Sequence, residues 1–564
     1  MSLILQLHID EKQRGNKLLL RDTSFTMQAG EKVALIGRNG TGKSTLFGLI
    51  DRSDDELHGS IQLRKGATLI STRQEHAGLD DVSTLDYILS ELPEYAELHH
   101  ILESYPQTMG DDMKKIDRYS AALERFGELG YYDIEERVVQ DLASYQLSAD
   151  AARGPLANLS GGQKRFVELV KVTQSQADLV LLDEPTNHMD AIGKATFVKW
   201  LINTPLSVLV ISHDRDVLKV MDRIVELKEL QLFSFKGNYD AYLKQNTTNT
   251  STDVMQYEVA QRTMENLQKQ LQAVRAKKAG SSKSPNPFIP MERRLLKQYA
   301  ELQASAKKPK FWIDQESVSG MKPAAQERYD KYKARGLRMR AQGGDSQRRL
   351  LVDITELQLG YGRDRSQAKP LFSPLTIRLH SGERLQLEGR NGAGKTTLIR
   401  ALLNHAKNGP AVADADSGSP LRVHGTIALS PKLVIGMYDQ EIASEYTNMK
   451  LGEAIMVAYR QADKPINDQK IRQLLGDYLF DPNGDIDRPI GNLSGGQKAR
   501  FQIISMLAAE PNLLILDEPT NHLDLPSIEE LEAALNRYQG AVLYVSHDSY
   551  FCHNLGGEVV AVAA

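Results

Sequence analysis

Apolar residues along this chain follow patterns that predict distinct elements. Unbroken runs at Val33–Ile36, Leu179–Leu182 and Leu513–Leu516 have no polar face, as central strands of a parallel sheet covered on both sides require. The first run leads into a glycine-rich turn and then "TLFGLI", the opening of a helix. Elsewhere apolar positions recur every three or four residues: Met113, Ile116, Tyr119, Leu123 and Phe126, and again Tyr257, Ala260, Met264, Leu267, Leu271 and Val274. Each stripe predicts an amphipathic helix. The second stripe predicts one from about Asp253 to Ala279, roughly 40 Å long at 1.5 Å per residue. The stretch "GSSKSPNPFIP" then ends it, because its prolines lack a donor and clash with a preceding turn. Beyond lie a short helix expected around Met291–Ala306 and a basic one around Ala324–Ala341, which together predict an antiparallel hairpin with an elaborated tip.

Much of the pattern occurs twice. "GRNGTGKST" at Gly37–Thr45 returns as "GRNGAGKTT" at Gly389–Thr397, "NLSGGQKRF" as "NLSGGQKAR", "LVLLDEPTNHMD" as "LLILDEPTNHLD", and "VISHD" as "YVSHD". Ser160 precedes Asp183 by 23 positions and Ser494 precedes Asp517 by 23, while Asp183 to His213 and Asp517 to His547 both span 30. A tandem duplication with an insert between the copies follows. The expected boundaries are 1–247 for the first copy, 248–347 for the insert and 348–564 for the second.

Each copy is an expected α/β nucleotide-binding domain with a strand, phosphate loop and helix in sequence. The loops comprise Gly37, Arg38, Asn39, Gly40, Thr41, Gly42, Lys43, Ser44 and Thr45 in the first copy. In the second they comprise Gly389, Arg390, Asn391, Gly392, Ala393, Gly394, Lys395, Thr396 and Thr397. Glycines let backbone N–H groups converge on phosphate oxygens, and the helix N-terminus adds positive potential. Lys43 or Lys395 neutralises the β- and γ-phosphates of ATP, and the hydroxyl of Ser44 or Thr396 ligates Mg²⁺. At the carboxyl end of the buried strand, Asp183 or Asp517 is placed to hold Mg²⁺ and Glu184 or Glu518 to activate water.

Composition narrows the class. The chain has 564 residues, 41% of them apolar, enough for about three or four units of roughly 150 residues. No run approaches the roughly 18 apolar residues of a membrane span, and the start lacks the features of a leader peptide, so an unexported protein is expected. Cys552 is the single cysteine, which excludes a disulfide scaffold and suits a reducing cytoplasm. The net charge of −4 conceals an uneven distribution: residues 251–349 hold 21 Lys+Arg against 10 Asp+Glu. A basic insert between acidic halves points to a polyanionic partner.

These motifs resemble the ATP-binding-cassette superfamily, and "LSGGQ" at Leu159–Gln163 and Leu493–Gln497 carries most of that resemblance. It implies that Ser160, Gly161, Gly162 and Gln163 face the γ-phosphate held by the second copy, and that Ser494, Gly495, Gly496 and Gln497 face the one held by the first. Two ATP molecules would then join the copies head to tail within one monomer. By the same resemblance Gln74 and Gln440 contact Mg²⁺ and water, His213 and His547 contact the γ-phosphate, and Asp190 and Asp524 lie across the seam. Tyr361 takes the family's adenine-stacking place, 28 positions before Gly389. The first copy has no such aromatic, leaving His8, Arg14 or Arg38 for that position.

Tandem copies without membrane spans, "PTNHMD" and "PTNHLD", "KGNYDAYL" and a charged insert resemble the ABC-F family. That resemblance implies a ribosome-associated ATPase whose insert reaches from the exit site toward peptidyl-site tRNA, with ATP favouring the bound state. Lysines beside Phe311 and Trp312 in "KKPKFWIDQ" suit rRNA or tRNA contact, while the same apolar side chains also suit the tip's own small core. A translation factor and a factor that protects the ribosome from antibiotics both fit. The alternatives are the ATPase subunit of a transporter and a DNA-repair or chromosome-associated ATPase.

Overall fold

The computed structural model describes residues 2–15, 17–54, 56, 58–73, 79, 81–110, 112–145, 147–175, 177–187, 189–279, 287–305, 349–361, 369–408, 421–439, 442–493, 495–521 and 523–563. The two repeats form one compact unit, Met1–Asn238 with Leu337–Ala564, and Tyr239–Gly336 forms another.

In the first repeat, strands Leu69–Ser71, Leu179–Asp183, Ser207–Ile211, Lys32–Ile36 and Arg223–Lys228 lie in that order, all parallel, with Gln231–Lys236 antiparallel at the edge. The second repeats this order with Ile435–Tyr438, Leu513–Asp517, Ala541–Val545, Arg384–Glu388 and Glu558–Ala561, all parallel. Every residue of Leu179–Asp183 and Leu513–Asp517 is buried, as expected of runs with no polar face. The strand following each phosphate-loop strand in space lies beside it from a distant part of the sequence, so loops from separate segments meet at the sheet's carboxyl edge.

An antiparallel sheet covers one face of each parallel sheet. In the first repeat it consists of Leu3–Arg14 between Lys17–Gln28 and His58–Leu63. Leu5, Leu7 and Ile9 are buried while Gln6 and Asp10 are exposed, the period-two alternation of a sheet with one wet face. Those leucines pack with Val33, Leu35, Leu46, Leu179 and Leu209 around the helix Lys43–Ile50. Leu351–Leu359, Leu385, Leu398 and Ile515 build the corresponding core of the second repeat.

The stripe Met113–Phe126 forms a helix, Met113–Glu128, but only its C-terminal end is covered. Phe126 is buried against Tyr95 and Tyr131, whereas Met113 is 67% and Leu123 43% exposed. The spacing is helical, as expected, and Ile116 and Tyr119 between these ends are half-buried.

In the insert, one helix spans Tyr239–Ala279 and a second Phe288–Ser305. The first starts well before the expected Asp253. Residues 247–252 are rich in Thr and Ser, poor helix formers. Thr247, Thr248 and Thr252 instead donate hydroxyl hydrogen bonds to the carbonyls of Leu243, Lys244 and Thr248, so the helix continues through them. Leu271, Val274 and Leu295 form its small core with Leu267, Phe288 and Tyr299. Glu292 pairs with Arg275 at 2.8 Å and Lys278 at 2.7 Å, while Gln268 reaches Tyr299 at 2.8 Å, an antiparallel register. The expected helix at 324–341 and the tip with Phe311 and Trp312 lie outside the described residues.

Leu516 is wholly buried and Leu123 is not. Leu516→Ala is therefore expected to destabilise the second repeat by about 2–5 kcal/mol, and Leu123→Ala by less than about 1 kcal/mol. Urea unfolding followed by circular dichroism distinguishes the two.

Candidate functional site

Each phosphate loop is built where a parallel strand turns sharply into a helix. Gly42 precedes the helix Lys43–Ile50 at φ 111°, and Gly394 precedes Lys395–Asn408 at φ 97°, conformations that favour glycine. Close approach also excludes side chains: a Cβ on Gly37 would lie 2.7 Å from the Leu227 carbonyl oxygen, and one on Gly389 2.5 Å from that of Val562. The backbone is thus shaped by its neighbours independently of any ligand. Lys43 Nζ curls back to donate to the Gly37 carbonyl at 2.7 Å, and Lys395 Nζ to Gly389 at 2.6 Å and Arg390 at 2.9 Å. Both lysines are buried, and burial lowers both pKa values.

The acidic pairs stand at the ends of the buried strands. Glu184 and Glu518 take left-handed backbone conformations, φ 46° and 48°, uncommon for a non-glycine residue and a form of local strain. The Glu184 backbone N–H donates to the Ile211 carbonyl and that of Glu518 to Val545, each at 2.9 Å, which holds the turn. His213 Nε2 lies 3.5 Å from Glu184 Oε1, and His547 Nε2 lies 3.4 Å from Glu518 Oε1. Thr396 Oγ1 donates to Asp517 Oδ2 at 2.9 Å. The oxygen groups here, hydroxyl and carboxylate, suit a hard cation such as Mg²⁺ better than a soft one. Among the described residues no group of three or more His, Cys, Asp or Glu forms a metal cage, so such an ion would also need oxygens from nucleotide or water.

The repeats meet head to tail. Asn39 N–H donates to Asp524 Oδ2 at 3.0 Å, and Asn391 N–H lies 3.4 Å from Asp190 Oδ2. A Cβ on Gly496 would sit 2.5 Å from Asn39 Nδ2, so the glycine segment of one repeat faces the other repeat's phosphate loop at near-contact distance. A cavity of about 460 Å³ opens there. Its walls include Asn39, Lys43, Ser44, Thr45, Asp183, Glu184 and His213 from the first repeat and Gly496, Glu518 and His547 from the second.

Ser160 caps the helix Gly161–Gln174: its Oγ accepts from Gln163 N–H, and Gln163 Oε1 accepts from Ser160 N–H. Gln163 is therefore engaged in a capping box, which leaves the glycine N–H groups to present positive potential. Tyr361 Oη lies 3.4 Å from Thr397 Oγ1, beside the second loop. In the first repeat Arg14 lines the cavity with Lys17, whose Nζ donates to the Gly40 carbonyl at 2.6 Å. His8 is engaged instead with Ser24 and Asp10 and does not line the cavity. Gln74, Gln440 and Ser494 lie outside the described residues. Sequence reasoning missed Arg165, which lines the cavity and donates to the Arg73 carbonyl at 2.8 Å. Its only signal was its place next to the "LSGGQ" helix start.

Burial sets the protonation states. Removal from water, reinforced by Asp183, pushes the Glu184 carboxyl up to about 8. Burial similarly pushes Glu518 up to about 7, with Asp517 adding to it and the His547 backbone N–H opposing. Burial, with Lys43 nearby, takes His213 down to about 3, and burial with Lys395 takes His547 down to about 4. Both imidazoles are neutral near pH 7. The glutamates retain a proton that the unfolded chain releases near its ordinary value of 4.5. Their contribution to stability is complete below that value and is lost as pH rises through 7 to 8. The histidines act in the opposite sense, stabilising above 6.5 and losing that contribution as pH falls toward 4 and then 3. A nucleotide-free Glu184→Gln, Glu518→Gln variant is therefore expected to gain stability relative to the unsubstituted chain as pH rises from about 5 to about 8. Thermal melts across that range check this; a gap that does not change with pH contradicts the raised carboxyl values.

Comparison with known proteins agrees with this geometry. The family described as ABC transporter matches residues 20–187 and 372–521. The chain is 28% identical over 544 residues to the probable ATP-binding protein YheS of Haemophilus influenzae, covering 96% of this chain and 76% of the relative. It is 26% identical over 553 residues to ABC transporter F family member 5 of Arabidopsis thaliana, covering 96% and 72%. A solved chain from a structure titled "Model of ribosome-bound archaeal Pelota and ABCE1" shares the fold with TM-score 0.51 at 19% identity, covering 99% of this chain and 76% of that one. No described helix is long and apolar enough to cross a membrane. With two phosphate loops, two acid pairs and a seam that brings them together, the chain belongs to the ABC transporter family as a tandem-cassette ATPase of the F type.

Proposed function

We propose that the protein hydrolyses ATP at two composite sites and uses the cycle to act on the ribosome through its insert. The facing of Asn39 and Gly496 across the seam carries the composite-site reading. At each site Lys43 or Lys395 turns from the loop carbonyls to the phosphates. Glu184 or Glu518, in its ionised form, accepts a proton of the attacking water as the water oxygen bonds to the γ-phosphorus and the bond from the γ-phosphorus to the bridging oxygen breaks, so that ADP leaves. Neutral His213 or His547 holds the γ-phosphate by hydrogen bonding. Ser44 and Thr396, Asp183 and Asp517, and Gln74 and Gln440 would hold Mg²⁺, directly or through water. When bound, that ion neutralises charge on the phosphate oxygens.

Two observations support a ribosomal partner. Residues 251–349 hold 21 Lys+Arg against 10 Asp+Glu, a charge balance suited to neutralising RNA phosphates. The solved chain of like fold is described as ribosome-bound. In this reading ATP favours the closed cassettes and the bound state, and hydrolysis releases it; a swing from 1:99 to 99:1 needs about 5.5 kcal/mol of preference for the closed state. Contact of the insert with peptidyl-site tRNA and rRNA near the peptidyl transferase region belongs to the same reading, as translation factor or in ribosome protection against antibiotics.

Sedimentation of the Glu184→Gln, Glu518→Gln variant with ribosomes tests the proposal. Retention in the ribosomal pellet with ATP and loss with ADP is expected. No enrichment removes the ribosomal partner while leaving the ATPase intact, and co-purification with an integral membrane protein would favour a transporter subunit.

A further inference from the structure

The two repeats end their outer antiparallel strands in different side chains. In the first, the strand Leu3–Arg14 ends at Arg14, which pairs with Lys17 at the start of the next strand. In the second, Leu350–Tyr361 ends at Tyr361, which pairs with Lys369. The two lysines are equivalent, because Leu19 and Leu371, two positions on, each pack beside the last glycine of their own phosphate loop. A Cβ on Gly42 would lie 3.1 Å from Leu19 Cβ, and one on Gly394 3.4 Å from Leu371 Cβ. Arg14 therefore stands where Tyr361 stands. Spacing hides this: residues 15–16 connect Arg14 to Lys17, whereas residues 362–368 connect Tyr361 to Lys369.

Arg14 is also the side chain that the first repeat leaves available. It lines the cavity with Lys17 and Leu19, and no Phe, Tyr or Trp is among the described lining residues. Arg14 is exposed, and among the described residues nothing hydrogen-bonds to its guanidinium or pairs with it. Asp54, on which its charge acts, is already paired with Lys12 at 2.7 Å. The other cations are committed elsewhere. Lys17 Nζ is tied to the Gly40 carbonyl, His8 is held by Ser24 and Asp10, and Arg38 does not line the cavity, its charge acting on Asp524.

A guanidinium is planar and stacks on aromatic faces, where the π-electrons of a base attract its charge. Such a contact reads the face of a base and not its edge, so it accepts either purine. Neither neighbouring side chain reads the edge of adenine: Leu19 has no polar atom in its side chain, and the Lys17 ammonium cannot accept from the adenine amino group.

We propose that Arg14 is the base-binding residue of the first ATP site, its guanidinium stacking on the purine, and that this site therefore takes GTP about as readily as ATP. The inference deepens the reading of the first phosphate loop as a nucleotide site and rests on it, but not on any ribosomal partner.

The test is isothermal titration calorimetry with ATP, GTP and inorganic tripolyphosphate on the full chain carrying Lys395→Ala, which disables the second phosphate loop, and Glu184→Gln, which blocks hydrolysis at the first. The Kd values for ATP and GTP are expected to lie within about threefold of each other. Adding Arg14→Ala is expected to raise both by at least about fivefold while tripolyphosphate stays within about twofold. Arg14→Tyr, which keeps a plane without the charge, is expected to restore ATP binding. Retained tripolyphosphate binding reports an intact phosphate loop, so a merely structural role for Arg14 would weaken all three ligands together. Unchanged ATP affinity in Arg14→Ala, an equal loss for tripolyphosphate, no recovery in Arg14→Tyr, or GTP binding more than about tenfold weaker than ATP with Arg14 in place overturns the proposal. A chain with Arg14 in place that binds neither ATP nor tripolyphosphate overturns the first nucleotide site itself, and the proposal with it.

Discussion

The hydrogen bond from the Asn39 backbone N–H to the Asp524 carboxylate, 3.0 Å across the seam, expresses the constraint on which the rest depends. A phosphate loop offers a cradle of N–H groups open on one side, and a γ-phosphate held there still presents oxygens outward. The second repeat supplies what closes that side: Asp524 on the loop itself and the Gly496 segment opposite Asn39. The matching approach of Asn391 to Asp190 makes the arrangement reciprocal. The duplication makes physical sense in the proposed reading, because each acid pair would then stand in a site that the other copy closes.

The same seam explains the electrostatics. Asp183, Glu184, Asp517 and Glu518 sit at the ends of strands buried on both faces, where an uncompensated carboxylate is costly. Glu184 and Glu518 respond by rising toward neutral pKa values, while His213 and His547 stay neutral. A carboxyl poised near the working pH is suited to exchanging a proton with water. The strained φ at both glutamates accompanies their place in the lining of the seam cavity.

The buried strands, both phosphate loops and the acid pairs were legible in sequence because unbroken apolar runs and fixed glycine positions leave little local freedom. The first helix of the insert was legible for a similar reason, from a three-and-four stripe ended by prolines, whereas its pairing with Phe288–Ser305 was not. What was not legible depends on distant partners. Arg215 and Glu529 are 314 positions apart, and nothing in either neighbourhood marks them as an ion pair. The early start at Tyr239 escaped because threonine propensity argues against helix, whereas hydroxyl bonds to preceding carbonyls accommodate it. The partly exposed Met113–Glu128 helix shows the converse limit: spacing fixes helical periodicity but not what covers the face.

The central claim is that the first ATP site is incomplete without the second cassette's glycine segment. Gly496→Asp, placed in a Glu518→Gln background where only the first site can turn over, tests it directly because no residue of the first cassette is touched. The account predicts a fall in ATP turnover of at least about tenfold, about 1.4 kcal/mol of lost transition-state stabilisation. Turnover equal to that of Glu518→Gln alone, in a folded protein, would contradict it.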